Sequence, residues 1–99
     1  MSDESAQGPL VGYRVLELGT MAAGPFVGRL LADFGAEVIK VEQAEGDPIR
    51  DYGKRFEGKS LYSASIMRNK RNISLNLREQ EGQDLVRRMI SKCDFVIEN

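Results

Sequence analysis

The chain has 99 residues, 14 basic and 15 acidic side chains, no histidine and one cysteine. This length allows at most one domain, and the near-neutral charge argues against a dedicated nucleic-acid-binding protein, which normally carries a basic excess. Without histidine, Ser-His-Asp and Cys-His catalysis and histidine-ligated metal sites are excluded within these residues; the single cysteine also excludes a thiolate zinc site, so we expect no metal.

The first predicted element is an N-terminal arm. The opening segment MSDESAQGPL is acidic and polar, and it lacks the basic and apolar parts of a secretory signal. No apolar run in the chain approaches the roughly 20 residues that a membrane-spanning helix needs. We therefore expect a cytoplasmic protein without membrane contact, in which residues 1–9 form a flexible arm.

Residues 13–42 have the pattern of a strand–helix–strand unit. YRVLEL (13–18) has the apolar character of a buried parallel strand, and Pro25 suits the first turn of a helix. Gly35 ends this helix, and EVIKVE (37–42) forms the second strand. The predicted apolar face of the helix consists of Phe26, Val27, Leu30, Leu31 and Phe34.

The rest of the chain continues the alternation of helices and strands. Residues 43–60 form a polar connection without periodicity, long enough to suggest a functional or partner-covered loop. A short helix within 61–69, a strand at 72–77 (NISLNL), a helix at 81–92 and a fourth strand at 94–99 follow. We predict an α/β fold of Rossmann-like βαβ units with a mainly parallel sheet. Since no helix follows the last strand, we expect the incomplete N-terminal part of a larger domain.

The turn Gly19-Thr20-Met21-Ala22-Ala23-Gly24-Pro25 is the first candidate site. Its G-x-x-x-x-G spacing resembles a P-loop, but Pro25 and Phe26 stand where lysine and serine or threonine would bind phosphate and Mg²⁺. The dinucleotide pattern also fails, because Met21 replaces a glycine that lets backbone approach a pyrophosphate. Two interpretations remain equal: a helix start whose amides bind an anionic or polar ligand, or a tight turn packed on the sheet.

Charged residues provide further candidates. Glu42 stands near the position of a ribose-binding acid, but on so loose a motif we favour a solvated strand end. Asp47, directly before Pro48, indicates a turn, and Cys93 is interpreted as a small core side chain. Basic residues surround the third predicted strand, and on charge alone we favour a solvated edge over a phosphate site. These are Arg68, Lys70, Arg71 and Arg78.

Taken together, the motifs identify a family. GPLVGYRVLELGTMAAGPFVGRLLADFGAEVIKVE, GDPIR, NKRNISLNL and EGQDLVRRMISKCDFVIEN follow one another in this order. They strongly resemble the N-terminal region of the family III CoA-transferases (the CaiB/BaiF family), a group that includes formyl-CoA transferase, carnitine CoA-transferase and alpha-methylacyl-CoA racemase. The resemblance covers nearly the whole chain from about Gly8, and it implies that residues 10–99 are the truncated N-terminal part of the family's large domain.

The resemblance implies that the turn and neighbouring strand ends hold coenzyme A instead of a dinucleotide. Ala22 and Ala23 match loop positions that contact the nucleotide portion. Gln43 matches a position that is often basic in relatives, and its neutrality weakens a phosphate contact there. Asn99 matches the start of a further cofactor-contacting loop. The segment that matches a strand along the adenine and phosphate region is Leu75, Asn76, Leu77 and Arg78.

The resemblance also implies the reaction, in which CoA moves between an acyl-CoA and a carboxylic acid. Family transferases use an aspartate that forms a mixed anhydride with the acyl group, which is carboxylate nucleophilic catalysis. That aspartate lies downstream of this region, so the resemblance implies no catalytic residue within the chain, an inactive isolated segment and an interlocked homodimer for the complete protein.

Three alternatives remain open at this point. An acyl-CoA racemase of the same family differs only in downstream residues. A stand-alone, non-catalytic nucleotide-binding or interaction module would explain the length. A nicotinamide-dependent dehydrogenase is disfavoured by the failed glycine pattern.

Overall fold

The computed structural model describes residues 7–99; residues 1–6 of the predicted arm lie outside the described residues. The elements in chain order are β1 (Arg14–Glu17), α1 (Ala23–Asp33), β2 (Glu37–Glu42), a 3₁₀ helix (Pro48–Asp51), β3 (Arg55–Phe56), β4 (Lys59–Ser60), α2 (Leu61–Ile66), β5 (Lys70–Ser74), α3 (Gln80–Ile90) and β6 (Phe95–Ile97). Four parallel strands form one sheet in the order β5-β2-β1-β6, and β3 and β4 form a separate antiparallel pair. The predicted α/β fold with a parallel sheet is confirmed. No helix in the described part of the chain is long and apolar enough to cross a membrane.

Side chains alternate along each strand, so apolar residues point to both faces of the sheet, and on each face the central strands pack against a helix. On one face, Val15 and Val38 form a buried cluster with Ala32 of α1 and with Ala36. On the opposite face, Leu16 and Val41 pack with Val86 of α3. The result is a three-layer arrangement in which α1 and α3 enclose the two central strands.

The face that α1 turns towards the sheet is not the predicted one. Its buried residues are Gly24, Pro25, Gly28 and Ala32. Of the predicted face, Leu31 is partly buried against the core cluster. The other four side chains are 37% to 52% exposed, namely those of Phe26, Val27, Leu30 and Phe34. The reason is steric: a Cβ on Gly28 would overlap Glu17 Oε1, so only small residues allow the helix to lie this close to β1.

The end of α1 is confirmed at Gly35. This residue has φ +107°, in the left-handed region where glycine is favoured. Its N–H donates to Ala32 O at 3.0 Å, and the Ala36 N–H donates to Leu31 O at 3.0 Å. These two bonds are those of a Schellman motif, which satisfies the carbonyls that the helix end leaves without partners.

Two predictions in the middle of the chain are wrong in detail. The third strand is Lys70–Ser74 instead of 72–77, because its pairing with β2 ends where Ser74 meets Glu42. Residues 43–60, predicted as an unstructured connection, contain the 3₁₀ helix and the β3–β4 hairpin. Strands of two residues are too short to produce a visible alternation in the sequence.

Candidate functional site

A cleft of about 210 Å³ lies at the carboxyl edge of the sheet, beside the ends of β1, β2 and β5. Thr20 follows β1, Glu45 follows β2, and the 75–78 segment follows β5 along its walls. Ligands of open parallel sheets bind at this edge, especially where the strand order reverses. That reversal lies between β1 and β6, next to the turn that leads into α1.

The structure brings five of the eight predicted site residues together in this cleft, and they are Gln43, Leu75, Asn76, Leu77 and Arg78. The last four were predicted on a strand, but they lie beyond the end of β5 at Ser74. Asn76 Oδ1 accepts the Arg78 N–H at 3.0 Å, which shapes this turn. Among residues 7–99, no side chain or carbonyl is bound to the exposed Arg78 guanidinium.

Ala22 and Ala23 lie at the start of α1, on the same edge but outside the cleft wall. Ala22 is the N-cap residue and makes no side-chain cap, and the first intrahelical bond runs from the Phe26 N–H to Ala22 O. Within the described residues, the N–H groups of Ala22, Ala23 and Gly24 therefore have no acceptor. Such groups carry the positive end of the helix dipole and favour an anion.

Asn99 fixes the same turn from the other side of β1. Its Oδ1 accepts the Thr20 N–H at 3.1 Å, and its Nδ2 donates to Thr20 O at 3.2 Å. A Cβ on Gly24 would stand only 2.6 Å from Asn99 Oδ1, and one on Gly19 would overlap it. The two glycines of the turn thus make room for the Asn99 side chain, which lies where the strand order reverses.

Below the turn lies a buried ion network that the sequence analysis missed. The side chains of Glu17, Lys40, Asp47 and Lys70 are at most 1% exposed. Lys40 Nζ lies 2.9 Å from Glu17 Oε2 and 2.8 Å from Asp47 Oδ2, and Lys70 Nζ lies 2.6 Å from Glu17 Oε1. Two lysines and two carboxylates thereby balance their charges.

The network had a signal in the sequence. Glu17 in YRVLEL and Lys40 in EVIKVE interrupt segments that were predicted to be buried parallel strands. A strand covered on both faces leaves a charged side chain without solvent, and a buried charge requires a partner. The interpretation of Lys70 as part of a solvated basic edge is wrong for the same reason, since its Nζ reaches Glu17 beneath α1.

Glu42 is likewise not a solvated strand end. It is buried, and its carboxylate accepts two bonds from Arg50, at 2.7 and 2.6 Å, and one from the Asp47 N–H at 2.8 Å. The Arg50 guanidinium lowers the pKa of Glu42. The turn predicted at Asp47 is confirmed, because Asp47 Oδ1 accepts the Ile49 N–H at 3.0 Å and caps the 3₁₀ helix.

The lowered pKa values of Glu42, Asp47 and Asp33 predict a loss of stability in acid. Burial raises the pKa of Asp47, but hydrogen bonds from the Ile49 N–H and Lys40 outweigh this effect, so the pKa of Asp47 lies below its ordinary value. A hydrogen bond from Arg68 lowers the pKa of Asp33. A carboxyl with a lowered pKa in the folded state stabilises fully above its ordinary value and loses this contribution as the pH falls through the folded value. We expect the free energy of unfolding in urea to be constant near pH 6–7 and to fall below about pH 4. Glu42→Gln should flatten this fall; a wild-type curve without it would contradict the buried pairs.

The family model of CoA-transferase family III matches residues 10–99. The chain belongs to CoA-transferase family III. Succinyl-CoA–D-citramalate CoA-transferase of Chloroflexus aurantiacus is 52% identical over 101 residues, which cover 100% of this chain and 25% of that protein. Human succinyl-CoA:glutarate CoA-transferase is 40% identical over 100 residues, covering 99% of the chain and 23% of that protein.

The fold of this family III member has a close match among solved structures. The crystal structure of a CaiB/BaiF family protein from Brucella suis superposes with a TM-score of 0.85 and 45% identity, over 94% of the chain and 26% of that protein. The chain thus spans about a quarter of the length of the relatives it matches.

Proposed function

We propose that the protein is a CoA-transferase that moves CoA between an acyl-CoA and a carboxylic acid, and that this chain forms part of its CoA site. One observation carries the proposal: one edge of the sheet brings together the Arg78 guanidinium and the helix-start N–H groups, none of which has a partner within residues 7–99, together with apolar side chains. Relatives named as succinyl-CoA transferases support the reaction class.

The chemistry of this edge fits a nucleotide that is anionic at one end and flat and apolar at the other. The N–H groups at Ala22 and Ala23 suit a phosphate, because they lie at the positive end of α1. Arg78 offers a planar guanidinium that can bind phosphate through two parallel hydrogen bonds. Leu75 and Leu77 offer apolar contact to an adenine, while the neutral Gln43 adds no charge.

The resemblance of the sequence motifs to family III CoA-transferases supports the proposed reaction sequence and assembly. The acyl group is transferred through an aspartate located beyond these residues, so this chain contributes binding and no catalytic residue. The complete protein is proposed to be a cytoplasmic, interlocked homodimer. The acyl-CoA and the carboxylic acid are its small-molecule partners, and neither nucleic acid nor a membrane is involved.

Arg78→Ala tests the site in the full-length product of the gene. Removal of a charge-assisted hydrogen bond to phosphate should weaken CoA binding about tenfold, while the turnover of bound substrate changes little. Isothermal titration with CoA gives the affinity, and kcat at saturating substrate gives the bound-state rate. The matched control is Arg87→Ala, which removes an exposed arginine of α3 that pairs with Asp84.

Two results would contradict the proposal. An unchanged CoA affinity in Arg78→Ala would remove this residue from the site. Thermal stabilisation of the wild-type protein by NAD but not by CoA would replace the transferase with a dehydrogenase.

A further inference from the structure

Three buried charged side chains form hydrogen bonds with the backbone of the turn between β1 and α1. Lys40 Nζ donates to Gly19 O at 3.2 Å, at one end of the turn. Lys70 Nζ donates to Pro25 O at 2.8 Å, at the other end. Between them, Asp47 Oδ1 accepts the Met21 N–H at 3.2 Å. The turn therefore does not depend on its own glycines alone for its shape.

The residue that binds Asp47, Met21, is the most strained residue of the turn. Met21 has φ +65°, in the left-handed region that side chains other than glycine rarely adopt. Such a conformation persists only where the surroundings over-determine it. Asp47 is itself fixed, because its other oxygen pairs with Lys40 at 2.8 Å and its own N–H binds Glu42.

The conformation at Met21 sets the direction of the backbone that follows it. Directly after Met21 come the N–H groups of Ala22, Ala23 and Gly24, which have no acceptor within residues 7–99. Buried ion pairs contribute little net stability compared with apolar side chains of the same volume, so their use here needs another explanation. The explanation is that Lys40, Asp47 and Lys70 each form a hydrogen bond with the turn and fix its shape.

We propose that Asp47 is a positioning residue of the CoA site: by accepting the Met21 N–H, it holds the turn in the shape that presents the α1 amides to the nucleotide. This inference rests on the proposed function. Asp47 also borders the cleft, but a carboxylate near phosphate repels it. Direct contact would therefore make loss of Asp47 improve CoA binding, whereas a positioning role makes that loss weaken it.

Two substitutions in the full-length protein separate these roles. Asp47→Ser keeps a cap for the Ile49 N–H, since serine is a good N-cap, but its hydroxyl is too short to hold Met21 as well. Asp47→Asn keeps one oxygen acceptor for Met21, but its amide NH2 then faces Lys40, which retains Glu17 as its acidic partner at 2.9 Å. We expect Asp47→Ser to raise the CoA dissociation constant about tenfold, and Asp47→Asn to stay within about threefold of wild type.

Hydrogen–deuterium exchange of the 19–25 segment without ligand provides a second measurement. Exchange should accelerate in Asp47→Ser and remain near the wild-type rate in Asp47→Asn, even though both variants lose the ion pair with Lys40. If Asp47→Ser does not fold, Asp47→Asn alone tests the inference through a crystal structure of the variant: a turn that opens while the amide oxygen still accepts the Met21 N–H would overturn it.

The remaining outcomes are distinct. Wild-type CoA affinity in Asp47→Ser, or tighter binding, would overturn the positioning role and leave the proposed function intact. Equal loss of affinity in both variants would assign the effect to the ion pair and overturn the role of the Met21 bond. Failure of the wild-type protein to bind CoA would overturn the proposed function, and this inference with it.

Discussion

Gly28→Ala is expected to destabilise the chain by about 2–3 kcal/mol, although alanine is normally the better helix residue. An interior glycine costs a helix roughly 1 kcal/mol relative to alanine, so local propensity predicts stabilisation. The structure predicts the opposite sign, because the new Cβ would overlap Glu17 Oε1 and stand 3.3 Å from Lys70 Nζ. Alanine would push α1 away from β1 and open the ion network beneath it.

Thermal unfolding of the 99-residue chain, followed by circular dichroism, measures this effect. For a domain of this size we expect a fall in Tm of roughly 10 °C or more. The control is Val27→Ala, on the exposed side of the same helix, which should stay within about 0.5 kcal/mol of wild type. A rise in Tm for Gly28→Ala would show that α1 does not lie in contact with Glu17.

Glu17→Gln is expected to cost about 3–5 kcal/mol at neutral pH. Glu17 is the carboxylate that pairs with Lys70, whereas Lys40 keeps Asp47 as a second partner. Glutamine has nearly the same volume as glutamate, so the loss reports the uncompensated charge of Lys70 and not a cavity. Urea unfolding at pH 7 gives the free energy of unfolding.

The pH dependence of this variant has a definite sign. Burial lowers the pKa of Lys70 below its ordinary value of 10.5, and loss of Glu17 lowers it further. Between the folded value and 10.5 the unfolded chain binds more protons, so stability rises with pH in this window. The cost of Glu17→Gln should therefore shrink when unfolding is measured at about pH 9.5 instead of pH 7.

Two controls accompany Glu17→Gln. Asp51→Asn removes one partner of an exposed ion pair with Arg55 and should cost less than about 1 kcal/mol. Adding Lys70→Met to Glu17→Gln removes one charge of each sign and should restore part of the stability. If Glu17→Gln alone were as stable as wild type at pH 7, this result would contradict the buried pairing of Glu17 with Lys70.

Much of the fold followed from local patterns in the sequence. Apolar runs and the alternation in NISLNL predicted four strands, of which the third was placed at 72–77 instead of Lys70–Ser74. Gly35 predicted the end of α1, because this signal depends on neighbouring residues alone. The family motifs placed Gln43, Leu75, Asn76, Leu77 and Arg78 in one site. Their common position in the cleft follows from a general property of parallel sheets, whose carboxyl ends meet at one edge.

The tertiary structure decided what those patterns left undetermined. The spacing of Phe26, Leu30 and Phe34 indicates a helical face, but it does not say whether that face or the glycine face meets the sheet. The choice depended on the bulk of Glu17, which comes from a different element. Lys70 is charged like its exposed neighbours in the sequence, and it is buried because Glu17 and Pro25 O meet it from positions 53 and 45 residues away. Burial of a charge depends on partners that folding brings together, so local pattern determines the elements, and packing determines which charged residues lie beneath the site.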